Sequence, residues 1–279
     1  MLFFSIGDIE GNYNLLQSCL NFISQNPKRQ FVFLGDIFNN LATNVSGFPT
    51  VREDGLRYLN ALNNFGLLKS NTNFTRIEDF CQIKFEAKSF NDIESNVKFL
   101  CGNHEVLVLH HIIDAIQNNN IEHNDDQYTI KIYSQYNMKT FEFSFNELSL
   151  LFKYFSCCYG LIYHLVDDNL IVMRHQYFIY TDIPGWQQIW TQDIPKQVLD
   201  PKRYNRVYIC GHNHAFGQIQ ANDCMLFLND LTEDSTGLNK IISILYDPLS
   251  QHISSNIIYT DLLQHFPTLQ RLPACNQPQ

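Results

Sequence analysis

The chain has 279 residues, of which 45% are apolar, 14% aromatic and 17% charged. That balance supports a sizeable core, suits one large α/β domain better than several, and argues against a disordered chain. A net charge of −9 with no basic block argues against a nucleic-acid backbone as primary partner, and no apolar run reaches the roughly 18 residues of a membrane span.

In chain order, Leu2–Ile6 is a short apolar run that reads as a first strand and is too short for a signal peptide. Tyr13–Ser24 follows with Leu15, Leu16, Cys19, Leu20 and Ile23 at helical spacing. Gln30–Leu34 is a second strand, so the first 35 residues give strand–helix–strand. Further strands are predicted over Asn96–Cys101, Leu170–Arg174 and Arg206–Cys210. These runs do not alternate, as expected of strands covered on both faces in a layered α/β sheet.

Between them lie two long stretches, about 41–96 and 106–168, read as insertions over the strand ends of a single domain spanning 1–263. They carry helical patterns at Val51–Leu68, Val106–Gln117 and Phe145–Cys158, with a polar loop between the last two. Tyr128, Tyr133, Tyr136, Phe141 and Phe143 of that region could stack a base or a peptide tyrosine, although core positions are the commoner fate of such rings. Cys224–Leu228, Lys240–Tyr246 and His252–Tyr259 read as successive antiparallel strands with turns at Thr236-Gly237 and Asp247-Pro248. Residues 264–279 form a tail with two prolines near its end.

The eight cysteines are scattered, with no CxxC pair, and read as buried free thiols of a reducing compartment. The cytoplasm is the expected location. Abundant Asn suggests an AT-rich genome.

The chemistry-bearing residues cluster where the strand-like runs stop. They form Gly7-Asp8-Ile9-Glu10-Gly11-Asn12, Gly35-Asp36-Ile37-Phe38-Asn39, Gly102-Asn103-His104-Glu105, His175 and Gly211-His212-Asn213-His214. Glycine allows a tight turn and close backbone approach, and the next side chain then points into the crevice beyond the sheet. Asp8, Glu10, Asp36, Asn103, His175, His212 and His214 are too many ligands for one tetrahedral ion. They suit two ions bridged by one carboxylate, with positions open to water and a phosphoryl oxygen. Any one motif alone is an ordinary turn; the conjunction of five is the signal.

This order of motifs resembles the calcineurin-like metallophosphoesterase superfamily, over Asp8 to His214, about three quarters of the chain. Gly-Asp-x-x-Gly-Asn is similar to the phosphoprotein phosphatase branch. The resemblance implies an α/β fold, a two-layered β-sandwich flanked by helices, with a two-metal site at the sheet edge. By the same resemblance, Asp8, Glu10, Asp36 and His214 would hold the first metal. Asp36 would bridge to a second, completed by Asn103, His175 and His212. His104 would face the scissile phosphate as acid or transition-state stabiliser, with Asp36 as the other catalytic residue. The Gly-Gly that usually follows the family's histidine is Gln176-Tyr177 after His175, so His164, His110 and His111 are the fallback ligands.

Two departures from the family pattern matter. Glu10 stands where the family has His, a harder and more anionic ligand that favours Mn²⁺, with Mg²⁺ or Fe as alternatives, over Zn²⁺. Asn39-Asn40 replaces the Asp-Arg pair of phosphoprotein phosphatases, whose carboxylate orients the histidine and whose guanidinium clamps phosphate. Arg174 is the first substitute for the clamp, with Asn39 and Asn40 as further substrate-binding residues.

The expected activity is hydrolysis of a phosphate monoester, on a phosphoprotein or a small phosphate, by a hydroxide bridging two metals. A phosphodiesterase or dinucleoside-polyphosphate pyrophosphatase is the alternative, and a non-catalytic interaction scaffold the third reading.

Overall fold

The computed structural model describes residues 2–9, 11–38, 56–69, 72–133, 138–166, 169–175, 205–211, 219–220, 223–227, 240–247, 252–259 and 270–271. Glu10, Asn39, Asn40, His212 and His214 lie outside them, as do the Thr236-Gly237 turn, Pro248 and nearly all of the 264–279 tail.

The fold is mixed α/β, with two large sheets forming the sandwich. The first sheet contains β1 (Leu2–Ile6), β2 (Gln30–Phe33), β4 (Val97–Leu100), β8 (Cys158–Tyr159), β14 (Lys240–Asp247), β15 (His252–Tyr259) and β16 (Gln270–Arg271). The second contains β3 (Ala87–Ser89), β9 (Leu161–Val166), β10 (Asn169–Arg174), β11 (Asn205–Cys210), β12 (Ile219–Gln220) and β13 (Asp223–Phe227). Strand order is β16-β15-β14-β1-β2-β4-β8 in one and β12-β13-β11-β10-β9-β3 in the other. In the first, β1, β2, β4 and β8 run parallel. In the second, β10, β11 and β13 run parallel. Each parallel set therefore delivers its C-terminal ends, with their glycine motifs, to one edge. The antiparallel pairing expected for the C-terminal strands is present, Lys240 opposite Tyr259 through Asp247 opposite His252.

Four α-helices are described: α1 (Tyr13–Gln25), α2 (Leu56–Asn64), α3 (Asn103–Gln117) and α4 (Phe145–Phe155). The first begins where Asn12 Oδ1 accepts from the Leu15 amide at 3.0 Å. Its Leu15, Leu16, Cys19, Leu20 and Ile23 are buried, as their spacing predicts. One end of α2 is closed at Gly66, whose φ of +68° lets its amide reach Asn63 O and the next amide reach Leu62 O.

Phe4, Phe31, Phe33 and Phe99 of the first sheet share one core with these helices. Phe4 stacks on Phe31, and Phe33 on Phe99, with centroids 5.2 Å apart in both pairs. Alternation turns Ser5, Val32 and Lys98 to the opposite face. There the Lys98 ammonium lies 4.2 Å from the Phe90 centroid, and the same ring meets His164 of the second sheet.

The 118–144 region is a correction to the reading of a polar loop. It forms a third, antiparallel sheet of β5 (Ile121–Asn124), β6 (Gln127–Tyr133) and β7 (Met138–Ser144). The apolar half of its alternation, Tyr128, Ile130, Ile132, Phe141 and Phe143, is buried in the core against α3 and α4. The intervening Thr, Lys and Glu make the stretch look polar as a whole. Tyr133 is 55% exposed, whereas Tyr128, Phe141 and Phe143 are core side chains. The stretches read as insertions also contribute β3, β8 and β9 to the two large sheets. Among the described residues no helix is long and apolar enough to cross a membrane.

Candidate metal centre

Asp8 follows β1, Asp36 follows β2, Asn103 opens α3 after β4, and His175 follows β10. Asp8, Asp36 and His175 are all buried, and one ligand atom from each lies within 4.8 Å of the others. The two sheets thus meet at this edge, the first giving the carboxylates and the second the imidazole. Glycine is required at the contact. A Cβ on Gly211 would stand 2.3 Å from Asp8 Oδ1, and one on Gly102 2.0 Å from Asp36 Oδ1.

His175 Nδ1 donates to the Leu34 carbonyl at 2.9 Å, which leaves Nε2 pointing inward. That nitrogen faces two oxygens, Asn103 Oδ1 at 2.9 Å and Asp36 Oδ2 at 3.1 Å. A lone pair on Nε2 would oppose both of them. A second proton or a cation in the cluster resolves the conflict. Burial disfavours an imidazolium, but the Asp36 and Asp8 carboxylates outweigh it and push the His175 pKa up to about 10. Burial likewise opposes the Asp36 carboxylate, yet His175 and His104 hold its pKa at about 2. Without metal, the site is therefore an imidazolium enclosed by carboxylates. Two carboxylates, an imidazole and an amide oxygen form a donor set that fits a divalent cation.

His104 is 3% exposed and approaches the same Asp36 oxygen that His175 does. Its Nδ1 is 2.9 Å from the Phe38 carbonyl and 3.4 Å from Asp36 Oδ2. Its backbone amide donates to Asp36 Oδ1 at 3.0 Å. Arg174 ends β10 half-buried, immediately before His175.

The fallback histidines stand apart from this cluster. His164 is buried in β9 against Phe90, and His110 and His111 lie on α3 with their rings 6.1 Å apart.

Glu105 was not among the sequence-predicted site residues, and its side chain accepts four backbone hydrogen bonds at the centre. Fully buried, it accepts from the amides of Asp36 (2.8 Å), Ile37 (2.9 Å), Phe38 (3.1 Å) and Gly102 (2.9 Å). Burial and the Asp36 charge raise its pKa, against the pull of those N–H donors. A protonated carboxyl would turn one of its acceptor positions into a donor facing an amide, so the geometry favours the carboxylate. The available signal was its place three residues after the Gly102 N-cap, the position of a capping-box glutamate.

Cys19, Cys81, Cys101, Cys157 and Cys158 are free. Burial pushes the Cys19 thiol up to about 12, and Cys101 and Cys158 are also raised well above the ordinary thiol range. These thiols are packing groups, as the sequence suggested.

No family model matches the chain, and no curated protein is matched. Among solved structures, an archaeal phosphodiesterase is similar at 12% identity, over 92% of this chain and 100% of its own, with a TM-score of 0.39. A predicted phosphoesterase from Streptococcus pneumoniae TIGR4 is similar at 8% identity, over 97% of both chains, with a TM-score of 0.37. Both likenesses are too distant to bear on the chemistry. The class defined by fold and site is an α/β sandwich with a buried carboxylate–imidazole centre at its strand ends.

Proposed function

We propose that the protein is a metal-dependent phosphoric ester hydrolase, with a phosphate monoester as substrate. One observation carries the reading: Asp36, buried between His175 and His104, shares its carboxylate between a ligand-type imidazole and a second imidazole that belongs to no ligand set. Asp8, Asp36, Asn103 and His175 would hold divalent metal, with Glu10, His212 and His214 completing a two-ion shell. Such ions, when bound, lower the pKa of water and neutralise phosphoryl oxygens.

The chain's own residues do the rest. The Phe38 carbonyl accepts a hydrogen bond from His104 Nδ1–H, so Nε2 is the atom left for the substrate, and it gives a proton to the leaving oxygen or bonds a phosphoryl oxygen only in the doubly protonated ring. Asp36 Oδ1 fixes the start of α3 through the His104 amide, so ligand and acid keep a fixed separation. Arg174 is the proposed anion clamp, and Asn39 and Asn40 the neutral hydrogen-bonding partners of the substrate.

A diester is the second reading, and the neutral Asn39-Asn40 pair favours it. A monoester dianion gains most from a bidentate guanidinium, whereas a diester carries one charge less. Turnover of p-nitrophenyl phosphate against its bis-ester by Mn²⁺-loaded protein separates the two. Preference for the monoester supports the first, preference for the bis-ester supports the second, and turnover of neither contradicts both. The proposed partners are a phosphorylated protein or small phosphate ester, host proteins included, and the proposed compartment is the cytoplasm.

A further inference from the structure

We propose that Glu105 is the positioning residue of the centre, setting both the Asp36 carboxylate and the His104 ring through the backbone between them. Asp36 has a φ of +47°, a left-handed conformation that a non-glycine residue adopts only when its surroundings hold it there. In the Asp36–Phe38 turn three successive amides point inward, and Glu105 accepts from all of them. Its Oε2 also takes the Gly102 amide, which ties this turn to the start of α3. No other side chain joins the β2 and β4 motifs by so many bonds among the described residues.

The consequence for chemistry runs through Phe38. Its amide is held by Glu105 Oε1, and its carbonyl faces His104 Nδ1 at 2.9 Å. Both oxygens facing that nitrogen, this carbonyl at 2.9 Å and Asp36 Oδ2 at 3.4 Å, can only accept, so the nearer carbonyl selects the Nδ1–H tautomer of His104. Its place depends on Glu105. Oε1 serves Ile37 and Phe38 while Oε2 serves Asp36 and Gly102, so both oxygens are needed. Glutamine keeps one of them and turns an NH₂ group toward the other pair of donors. A merely structural glutamate would affect folding alone, whereas a positioning glutamate also affects ligand affinity and the tautomer.

The inference rests on the reading that Asp36 and His104 belong to one reacting centre, and its test separates the two. In wild-type protein, ¹⁵N NMR should find neutral His104 as a single Nδ1–H tautomer. The amides of residues 36, 37, 38 and 102 should exchange at least roughly 1,000-fold slower than open chain. In Glu105→Gln, Mn²⁺ affinity should fall at least about 10-fold by calorimetry, with mixed His104 tautomers, and Glu105→Ala should lose more. On a turned-over phosphoester, kcat of Glu105→Gln should fall at least about 10-fold with KM little changed.

A folded Glu105→Gln with wild-type Mn²⁺ affinity and a single Nδ1–H tautomer would overturn the inference. So would wild-type amides that exchange like an open loop. If neither variant folds, those wild-type amide rates and the His104 tautomer decide it. Wild-type protein that binds Mn²⁺ but hydrolyses no phosphoester would defeat the functional reading, leaving affinity and tautomer to judge Glu105.

Discussion

Replacing Gly102 by Ala puts a methyl group into the closest approach in the centre. The added carbon would lie 2.0 Å from Asp36 Oδ1, 2.3 Å from the Asp36 amide nitrogen and 2.7 Å from Glu105 Oε2. All three neighbours are fixed, since Asp36 and Glu105 are buried and joined by hydrogen bonds. Overpacking a filled interior costs about 1–3 kcal/mol. Displacing the Asp36 amide from a carboxylate adds roughly 1.5–3 kcal/mol. At about 2–4 °C per kcal/mol, Tm should fall by roughly 10 °C, and Mn²⁺ affinity should fall with it. Gly66→Ala is the control. Nothing lies within 4 Å of its Cβ, so its cost is only the strain of φ +68°, about 1–2 kcal/mol, with Mn²⁺ affinity unchanged. Scanning calorimetry and Mn²⁺ titration of both variants test this. If Gly102→Ala lost no more Tm than Gly66→Ala and bound Mn²⁺ normally, the close approach of the β4 turn to Asp36 would be refuted.

Protonation of the Asp36–His175 pair makes metal-free stability depend on pH. Asp36, depressed to about 2 from an ordinary 3.8, contributes stability that is present above about 4 and lost as pH falls through 2. His175, raised to about 10 from 6.5, contributes stability that is full below 6.5 and lost as pH rises through 10. Metal-free Tm should therefore decline from pH 6.5 upward, and Mn²⁺ binding at pH 7 should release about one proton; a flat profile with no release would contradict the imidazolium. Mn²⁺ should support faster turnover than Zn²⁺ because of Glu10, an expectation that a more active zinc-loaded enzyme would sink. His104→Ala should lower kcat by roughly 100-fold while leaving Mn²⁺ stoichiometry intact, so an unchanged kcat would remove it from the reaction. Ser144→Ala removes the Oγ that accepts from Glu147 N at 3.2 Å, and should cost about 1 kcal/mol by denaturation with no change in metal affinity.

The strands that carry the site were legible because they are unbroken apolar runs ending at glycine. β1, β2, β4, β10 and β11 fall within a residue or so of where those runs stop. That Asp8, Asp36 and His175 come together was legible for the same reason, since a strand-end position fixes where a side chain can go. The small β5–β7 sheet was not, because half its residues face away from the core and mask the alternation. Glu105 was hidden for a different reason. Its partners at 36, 37 and 38 lie 67 to 69 residues away, and no local pattern encodes that contact. Glu10, Asn39, Asn40, His212 and His214 fall outside the described residues, so their roles rest on the sequence alone.

If Asp36 organises a metal-dependent phosphoester centre, turnover must depend on its carboxylate. The most direct measurement is steady-state turnover of a p-nitrophenyl phosphoester by Mn²⁺-loaded wild type and Asp36→Asn at equal concentration. Wild type should turn the ester over, and the variant should lose roughly 100-fold or more of that rate. Equal rates in the two proteins, or no turnover by wild type with Mn²⁺ bound, would contradict it.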